Sequence, residues 1–151
     1  MTELEAFLKT HKVWYQFIDK PQTIHTEDAS RVTGIPLHKI TKNIICQTPK
    51  KEYVLIILPG DRRINLLKTA AVIGVRKIVP VPFEQAEAIS GYPPGGTPSV
   101  GHKTKMNVIV DQSLLSEETM FCGGGARDKL LELRTQDVIA LNNAIIADIC
   151  E

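Results

Sequence analysis

The hydrophobic pattern at the start of the chain is that of a helix. Leu4, Phe7 and Leu8 recur with the spacing of one helix face. Thr2 and Glu5 form a capping box, a pair of side chains that can satisfy free backbone N–H groups at a helix N-terminus. The sequence therefore predicts that the chain opens with a short amphipathic helix.

Two apolar runs farther along the chain predict a β-hairpin. Residues 44–48 and 53–58 are rich in Ile, Val and Leu, and they flank the polar segment 49–52. The second run is apolar at consecutive positions, which is typical of a strand that is covered on both faces. We therefore expect 53–58 to be a central strand.

The other hydrophobic runs are short, and runs with the spacing of a helix alternate irregularly with runs typical of a strand. They predict strands at 14–18, 76–79, 107–110, 119–122 and 130–133, a closing run at 145–149, and helices from Thr26, as cap, to Gly34 and at 65–73, 83–89 and 135–142. In helix 65–73, we expect the apolar residues to face inward: Leu66, Leu67, Ala70 and Ala71. Because this order lacks regular strand–helix alternation, it predicts a single α/β domain, residues 1–151, with a mixed, mostly antiparallel, barrel-like sheet and short flanking helices.

In the segment 91–102, apolar residues recur with neither the spacing of a helix nor that of a strand. It contains four glycines and three prolines. Proline interrupts helices and removes hydrogen-bond donors from strands, so this density excludes both structures. A long irregular loop inside a compact domain is usually functional, which makes this loop the first candidate for a site.

Composition narrows the class of protein. With 151 residues and 43% hydrophobic content, the chain can bury one core. No apolar run is long enough to span a bilayer and the N-terminus lacks the apolar region of a signal peptide, so we expect a soluble, cytoplasmic protein without a membrane partner. The three cysteines, Cys46, Cys122 and Cys150, lie far apart and are expected to be reduced and buried.

Charge is unevenly distributed along the chain, although the formal net charge is only +1. Residues 1–80 carry 13 Lys and Arg against 7 Asp and Glu, and residues 81–151 carry 5 against 10. A basic half can guide a nucleic-acid end toward a site. Ordinary solvated surface is the alternative interpretation.

Two phosphate-binding patterns are nearly present and both fail. Gly96 and Gly101 precede Lys103 as in a P-loop, but with one residue too many, and a predicted strand follows where a P-loop needs a helix. The segment 123–128 begins like a dinucleotide fingerprint and lacks its final glycine. Neither interpretation is retained.

Two features could carry chemistry. The glycines of the loop leave backbone N–H groups uncovered, and such groups suit a carbonyl oxygen or a developing oxyanion; a rigid structural turn is the alternative. Lys42, at the entry to 44–48, could hold a phosphate or carbonyl as a point charge; a solvated edge lysine is the alternative. The histidines have no metal-ligand spacing, so we expect no metal, and no cofactor-binding pattern is retained.

Several segments together resemble the YbaK-like family, the aminoacyl-tRNA editing domain that is also inserted in bacterial prolyl-tRNA synthetases. The matching segments follow the family's order: 25–29 with 34–36, 40–43, 91–92 with 95–102, and 123–125 before 131–133. The resemblance extends from His25 to Ile149. One residue departs from it, because the family loop commonly carries a proline four residues after its first glycine. Counted from Gly95, that place is Ser99.

The resemblance implies a freestanding trans-editing enzyme that hydrolyses the ester of a mischarged tRNA, with a small amino acid and tRNA for proline as the first candidates. The implied partners are the aminoacyl-tRNA 3′-end and an aminoacyl-tRNA synthetase. Lys42 would hold the substrate, and the amides of Gly95, Gly96 and Gly101 would polarise the ester carbonyl. A water would attack, helped by the substrate's ribose hydroxyl. The implied substrate-binding residues are Asn43, Thr97, Pro98, Ser99, His102 and Gly124.

Two other functions remain open at this point. The same fold could serve as a non-catalytic module that binds a tRNA end or a synthetase. It could also hydrolyse a small ester or thioester unrelated to tRNA. No oligomeric state is indicated.

Overall fold

The computed structural model of residues 1–151 contains five α-helices and eight β-strands. The helices are α1 (Glu3–Thr10), α2 (Thr26–Thr33), α3 (Leu66–Val72), α4 (Phe83–Ser90) and α5 (Thr135–Asn142). The strands are β1 (Tyr15–Asp19), β2 (Thr41–Gln47), β3 (Tyr53–Pro59), β4 (Val79–Pro80), β5 (Asn107–Asp111), β6 (Thr119–Gly123), β7 (Lys129–Arg134) and β8 (Ile145–Ala147). Short 3₁₀ turns lie at Leu37–Lys39 and Gln112–Ser116. None of the helices has the length and apolar character needed to cross a membrane.

The strands form two sheets. One sheet is antiparallel with strand order β1-β7-β6, and the other has the order β4-β2-β3-β5-β8. In the larger sheet, β2 pairs antiparallel with β3 and β4, whereas β3–β5 and β5–β8 are parallel. The predicted α/β class with mixed, mostly antiparallel pairing is confirmed, and the strands are divided between two sheets instead of closing into one barrel.

The predicted hairpin is the centre of the larger sheet. β2 and β3 pair from Thr41 with Pro59 to Gln47 with Tyr53. Residues 54–58 are each at most 1% exposed, which confirms that β3 is a central strand. Because successive side chains of a strand point to opposite faces, β3 contributes to two hydrophobic clusters.

These two clusters cover the two faces of the larger sheet. The first lies between the sheets and combines β3, β5, β6 and β7 with Leu4 and Leu8 of α1 and Val138 of α5. The second includes Ala70 of α3 and Ile149 near the C-terminus. All three cysteines are unpaired and buried, as predicted.

Two helix starts test the capping predictions. The Thr2 hydroxyl accepts a hydrogen bond from the Glu5 N–H at 3.1 Å, so the predicted cap of α1 is present. In contrast, Thr26 is the first residue of α2 and His25 is its cap, so the predicted capping role of Thr26 is wrong. Gly34 ends α2 with φ 75°, a left-handed conformation that favours glycine.

Two details of the sequence prediction are wrong. Leu67 is 75% exposed and Ala71 is also exposed, because α3 turns Thr69 and Ala70 inward and buries a narrower face than its apolar pattern suggests. The predicted strand 76–79 is reduced to the two residues of β4. Pro80 and Pro82 lack the N–H groups that a longer ladder would need.

Candidate functional site

A cavity of about 530 Å³ lies between the first half of β2 and the loop 91–102. Its walls come from residues 23–27, Ala29, residues 40–45, Ile64, Pro80, Val81, Phe83 and Ala86, from Pro94, Gly95 and Thr97 of the loop, and from Gly123 and Leu130. Ten of its 22 lining residues are hydrophobic, so the cavity suits a ligand that has both apolar and polar parts.

The cavity opens at a free edge of β2. β4 pairs with only the last two residues of β2, and one further hydrogen bond joins the Val81 N–H to the Ile45 carbonyl at 3.0 Å. Ile40 forms an isolated bridge with Phe121 of β6, and residues 42–44 have no strand neighbour on this edge. Lys42 and Asn43 point to opposite faces of the strand, yet both line the cavity because it wraps around this edge.

Lys42 places a positive charge in the cavity wall. Its Nζ donates a hydrogen bond to the Arg62 carbonyl at 2.8 Å, in the turn that follows β3. None of the four ion pairs in the protein includes Lys42. Its charge is therefore free to interact with a phosphate or a carbonyl oxygen of a ligand.

Two backbone N–H groups of the loop are also unused. Gly95 and Thr97 line the cavity, and neither of their N–H groups donates to an acceptor in the protein. The Gly96 N–H between them donates to the Pro93 carbonyl at 2.8 Å. Two cavity residues therefore have N–H groups without a partner in the protein, and such groups can stabilise a carbonyl oxygen as it becomes negative.

The loop is held against the turn between β6 and β7 by direct backbone contact. The Gly123 N–H donates to the Thr97 carbonyl at 3.1 Å, and the Gly125 N–H donates to the Gly96 carbonyl at 2.8 Å. A Cβ atom on Gly123 would lie 2.3 Å from the carbonyl carbon of Gly96. We call these four residues the glycine crossing. Glycine is required at positions 96 and 123, because a Cβ at either would lie less than 3 Å from backbone atoms.

A buried lysine supports the cavity from behind. Lys20 is 8% exposed, and its Nζ donates to the Thr23 hydroxyl at 2.7 Å and to the Arg127 carbonyl. Burial lowers the pKa of Lys20, against an opposing effect of Asp128. The Arg127 Nε donates to the Pro94 carbonyl at 2.8 Å. Lys20 therefore ties the segment that contains Thr23 to the first half of the loop.

Ser99 lies behind the cavity wall. It is fully buried, and its hydroxyl donates to Oδ1 of Asn43 at 2.7 Å. Its carbonyl accepts a hydrogen bond from Asn142 of α5 at 2.8 Å. Burial raises the pKa of the neighbouring Cys122 thiol to about 11, against the opposing effect of hydrogen bonds with Ser99. Ser99 therefore contacts a cavity residue without lining the cavity itself.

The second half of the loop faces α1. Gly101 lies next to Leu4 and Phe7, and a Cβ on Gly101 would be 3.4 Å from their side chains. The Nε2 of His102 donates to the Pro98 carbonyl at 2.7 Å. Burial lowers the pKa of His102, with this hydrogen bond opposing the effect. These residues stabilise the loop at a distance from the ligand cavity.

The ten residues predicted for the site thus divide into two groups. Lys42, Asn43, Gly95 and Thr97 line the cavity. Six do not line it: Gly96, Pro98, Ser99, Gly101, His102 and Gly124. Gly124 packs closely against Lys129, where a Cβ would lie 2.7 Å from the lysine side chain.

Most of the other lining residues were not predicted as site residues, among them His25, Glu27 and Phe83. The apolar pattern around His25 and Glu27 indicated only a helix start, and that around Phe83 only a short helix. Phe83 is 57% exposed at the first position of α4. An aromatic residue directly after two closely spaced prolines is a signal that could have indicated an exposed position. No three His, Cys, Asp or Glu side chains converge in the protein.

Comparison with known proteins identifies relatives along the whole chain. Residues 20–141 match the family model described as "Aminoacyl-tRNA editing domain". The chain is 24% identical over 151 residues to the Enterococcus faecalis protein named "Putative Cys-tRNA(Pro)/Cys-tRNA(Cys) deacylase EbsC", with 98% of this chain and 92% of the relative covered. It is 28% identical over 110 residues to the proline–tRNA ligase of Methylobacillus flagellatus, with 70% of this chain and 19% of the ligase covered.

A solved structure has the same fold. The "Crystal structure of a putative trans-editing enzyme for prolyl tRNA synthetase" superposes with a TM-score of 0.86 at 24% identity, covering 99% of this chain and 95% of the other. The family match contains every segment of the cavity wall, from Thr23 to Leu130. The chain therefore belongs to the aminoacyl-tRNA editing domain family.

Proposed function

We propose that this protein hydrolyses the ester bond between an amino acid and the 3′-end of a tRNA. One observation carries the proposal: the Lys42 ammonium and the unused N–H groups of Gly95 and Thr97 belong to the walls of one cavity. An aminoacylated 3′-terminal nucleotide offers matching groups, a phosphate and an ester carbonyl. Membership of the editing-domain family supports tRNA as the carrier of that ester.

Each wall group has a distinct role in this proposal. Lys42 keeps one N–H donor on the Arg62 carbonyl and donates another to the terminal phosphate or the ester carbonyl of the substrate. The N–H groups of Gly95 and Thr97 donate to the carbonyl oxygen. These hydrogen bonds strengthen as negative charge develops on that oxygen, so they favour the transition state over the bound ester. Gly96 contributes through the glycine crossing, which fixes its neighbours in place.

The reaction consumes one water. The water oxygen attacks the carbonyl carbon, and the tetrahedral intermediate breaks its bond to the ribose oxygen. The products are the free amino acid and a tRNA with its ribose hydroxyl restored. The proton that the water loses reaches the departing ribose oxygen. We assign its relay to the neighbouring ribose hydroxyl, because this group is adjacent to the leaving oxygen in the substrate itself.

Small amino acids on tRNA for proline are the first substrates to test. The name of the Enterococcus relative specifies cysteinyl-tRNA, and several relatives are proline–tRNA ligases. A synthetase distinguishes amino acids that differ by a methylene by only about 1–3 kcal/mol, so a second hydrolytic site improves fidelity. The protein would act on the cytoplasmic pool of charged tRNA, as a partner of the synthetase that makes the error.

The test is release of labelled amino acid from tRNA for proline charged with alanine, cysteine, serine or proline. Lys42→Ala should lower kcat/KM about 100-fold, the usual effect of removing an electrostatic group from an active site. Its thermal unfolding midpoint should stay near that of the wild type, because the side chain bonds only one carbonyl. Lys50→Ala is the matched control, since Lys50 is exposed in the turn at the other end of the same hairpin.

Three results would contradict the proposal. Hydrolysis no faster than the uncatalysed rate for every charged tRNA would exclude the enzyme. Tight binding of charged tRNA without turnover would establish the non-catalytic module instead. A large drop in the unfolding midpoint of Lys42→Ala would assign that lysine to the structure of the turn and not to the reaction.

A further inference from the structure

The polar side chains behind the cavity form one line of hydrogen bonds. Oγ of Ser99 lies 2.7 Å from Oδ1 of Asn43, and Nδ2 of Asn43 lies 3.1 Å from Oγ1 of Thr41. Oγ1 of Thr41 lies 3.1 Å from the Phe121 carbonyl oxygen. Ser99 is fully buried and Asn43 is half-buried in the cavity wall.

The carbonyl at the end of this line determines the direction of every bond. A carbonyl can only accept, so the Thr41 hydroxyl donates to Phe121 and accepts from Asn43. The amide nitrogen of Asn43 therefore faces Thr41, and its oxygen faces Ser99. Ser99 must then donate its only hydroxyl proton. The two ends of an Asn amide are otherwise nearly interchangeable, and here the hydrogen bonds fix which end is the oxygen.

Ser99 is itself held in place from α5. Nδ2 of Asn142 donates to the Ser99 carbonyl at 2.8 Å and to the Val138 carbonyl at 2.9 Å. Val138 is fully buried. The backbone of Ser99 is thus anchored to the core, and its hydroxyl, which lies beside the Cys122 thiol, donates to Asn43.

We propose that Ser99 is a positioning residue, which holds the amide oxygen of Asn43 in the cavity as the acceptor for the α-ammonium group of a bound aminoacyl group. This inference rests on the proposed function, because that function supplies the aminoacyl ligand. A carboxamide oxygen has two lone pairs, and Ser99 occupies one. The other is available to the ligand.

The balance of donors and acceptors in the wall supports this assignment. Lys42, Gly95 and Thr97 all present donors, which match the phosphate and carbonyl of the substrate. The ammonium group of the same substrate is a donor and needs an acceptor. Glu27 is the one carboxylate in the wall, and it is exposed. Asn43 is the more buried acceptor, and a hydrogen bond is stronger where water is excluded.

The experiment compares the binding of two hydrolysis-resistant amides of 3′-amino-3′-deoxyadenosine, one carrying alanine and the other propionate. They differ only in the ammonium group. The wild type should bind the alanyl analogue at least about tenfold more tightly, as expected for a hydrogen bond to a charged group. Ser99→Ala should reduce this ratio severalfold, because Asn43 then keeps only its bond to Thr41 and its oxygen is no longer held at one position.

The matched control is Ser90→Ala. Ser90 is equally buried at the other end of the loop, and its hydroxyl bonds the backbone of Tyr92. This variant should keep the wild-type ratio of affinities. If Ser99→Ala lowers the unfolding midpoint, Asn43→Ala removes the acceptor directly from a half-buried position and should bring the ratio to near one.

An unchanged ratio in Ser99→Ala or Asn43→Ala would overturn the inference. Equal binding of the two analogues by the wild type, or binding of neither, would also overturn it. The wild type could fail to hydrolyse charged tRNA and still prefer the alanyl analogue, with this preference lost in the variants. That result would contradict the proposed function and still support the ammonium site. The two proposals therefore fail on different measurements.

Discussion

The two halves of the loop 91–102 have similar compositions and different partners. In the first half, Gly95 and Thr97 line the cavity, and the backbone around Gly95 and Gly96 is too close for a side chain at either position. Residues 100–102 pack against α1 and their own turn at ordinary contact distances. Glycine in the first half allows close backbone approach, and Gly101 in the second half supplies a left-handed turn at φ 75°. Composition alone does not distinguish these two requirements.

Gly123→Ala should have the largest effect, and it tests the close backbone contact of the first half of the loop. The new Cβ would meet the backbone of Gly96 at 2.3 Å, and backbone cannot rotate away as a side chain can. We expect the free energy of unfolding to fall by about 3 kcal/mol and ester hydrolysis to be lost. Chemical denaturation and the deacylation assay measure the two effects. A stable and active variant would show that the glycine crossing does not hold the loop.

Lys20→Met should have the next largest effect. It removes the donor from the Arg127 carbonyl and the Thr23 hydroxyl, and an unsatisfied buried polar group costs about 1–3 kcal/mol. Activity should fall as well, because Arg127 also holds Pro94 of the first half. Lys9→Met, on the exposed side of α1, is the control. Equal unfolding midpoints for the two variants would mean that Lys20 does not support the cavity.

Gly101→Ala tests the second half of the loop and should have a smaller effect. Alanine at φ 75° is strained by about 1–2 kcal/mol, and its Cβ would make ordinary contacts with α1. We expect a lower unfolding midpoint and a kcat/KM within about threefold of the wild type, since Gly101 does not line the cavity. A loss of activity as large as that of Gly123→Ala would show that the two halves act as one unit.

The smallest expected effect is a pH dependence of stability from His102. Burial lowers the pKa of His102, so the folded protein disfavours the protonated imidazole. The unfolded chain takes up that proton as the pH falls through about 6.5, so the stabilising contribution is present above this pH and lost below it. His102→Gln should therefore flatten the fall in unfolding midpoint between pH 7.5 and pH 5.5. An unchanged slope would contradict the assignment.

The sequence predicts those parts of the fold that depend on near neighbours. The hairpin of β2 and β3 follows from two apolar runs and a short polar connection, and α1 follows from its cap and its helical spacing. β4 is shorter than predicted, because its length depends on how much of the edge of β2 it can pair with, and that edge is distant in sequence. The inner face of α3 was predicted too wide for a similar reason.

The site was predictable to the level of its segments and not to the level of contacts. The loop was singled out by its glycines and prolines and Lys42 by its place at a strand entry, and the resemblance to a family gave them roles. The division of the loop into two faces depends on Gly123 reaching Gly96, and the role of Ser99 depends on a hydrogen bond to Asn43, which is 56 positions away in sequence. Such contacts depend on how the two sheets pack, and the spacing of apolar residues along the sequence does not predict them.

The hydrogen bond between Lys42 and the Arg62 carbonyl has a consequence for the entropy of binding. A free lysine side chain samples many rotamers, and ordering it costs up to about 2 kcal/mol. In this protein the bond at 2.8 Å already restricts those rotamers before any ligand arrives. Part of the entropic cost of ordering Lys42 is therefore included in folding, and less of it remains when a substrate binds.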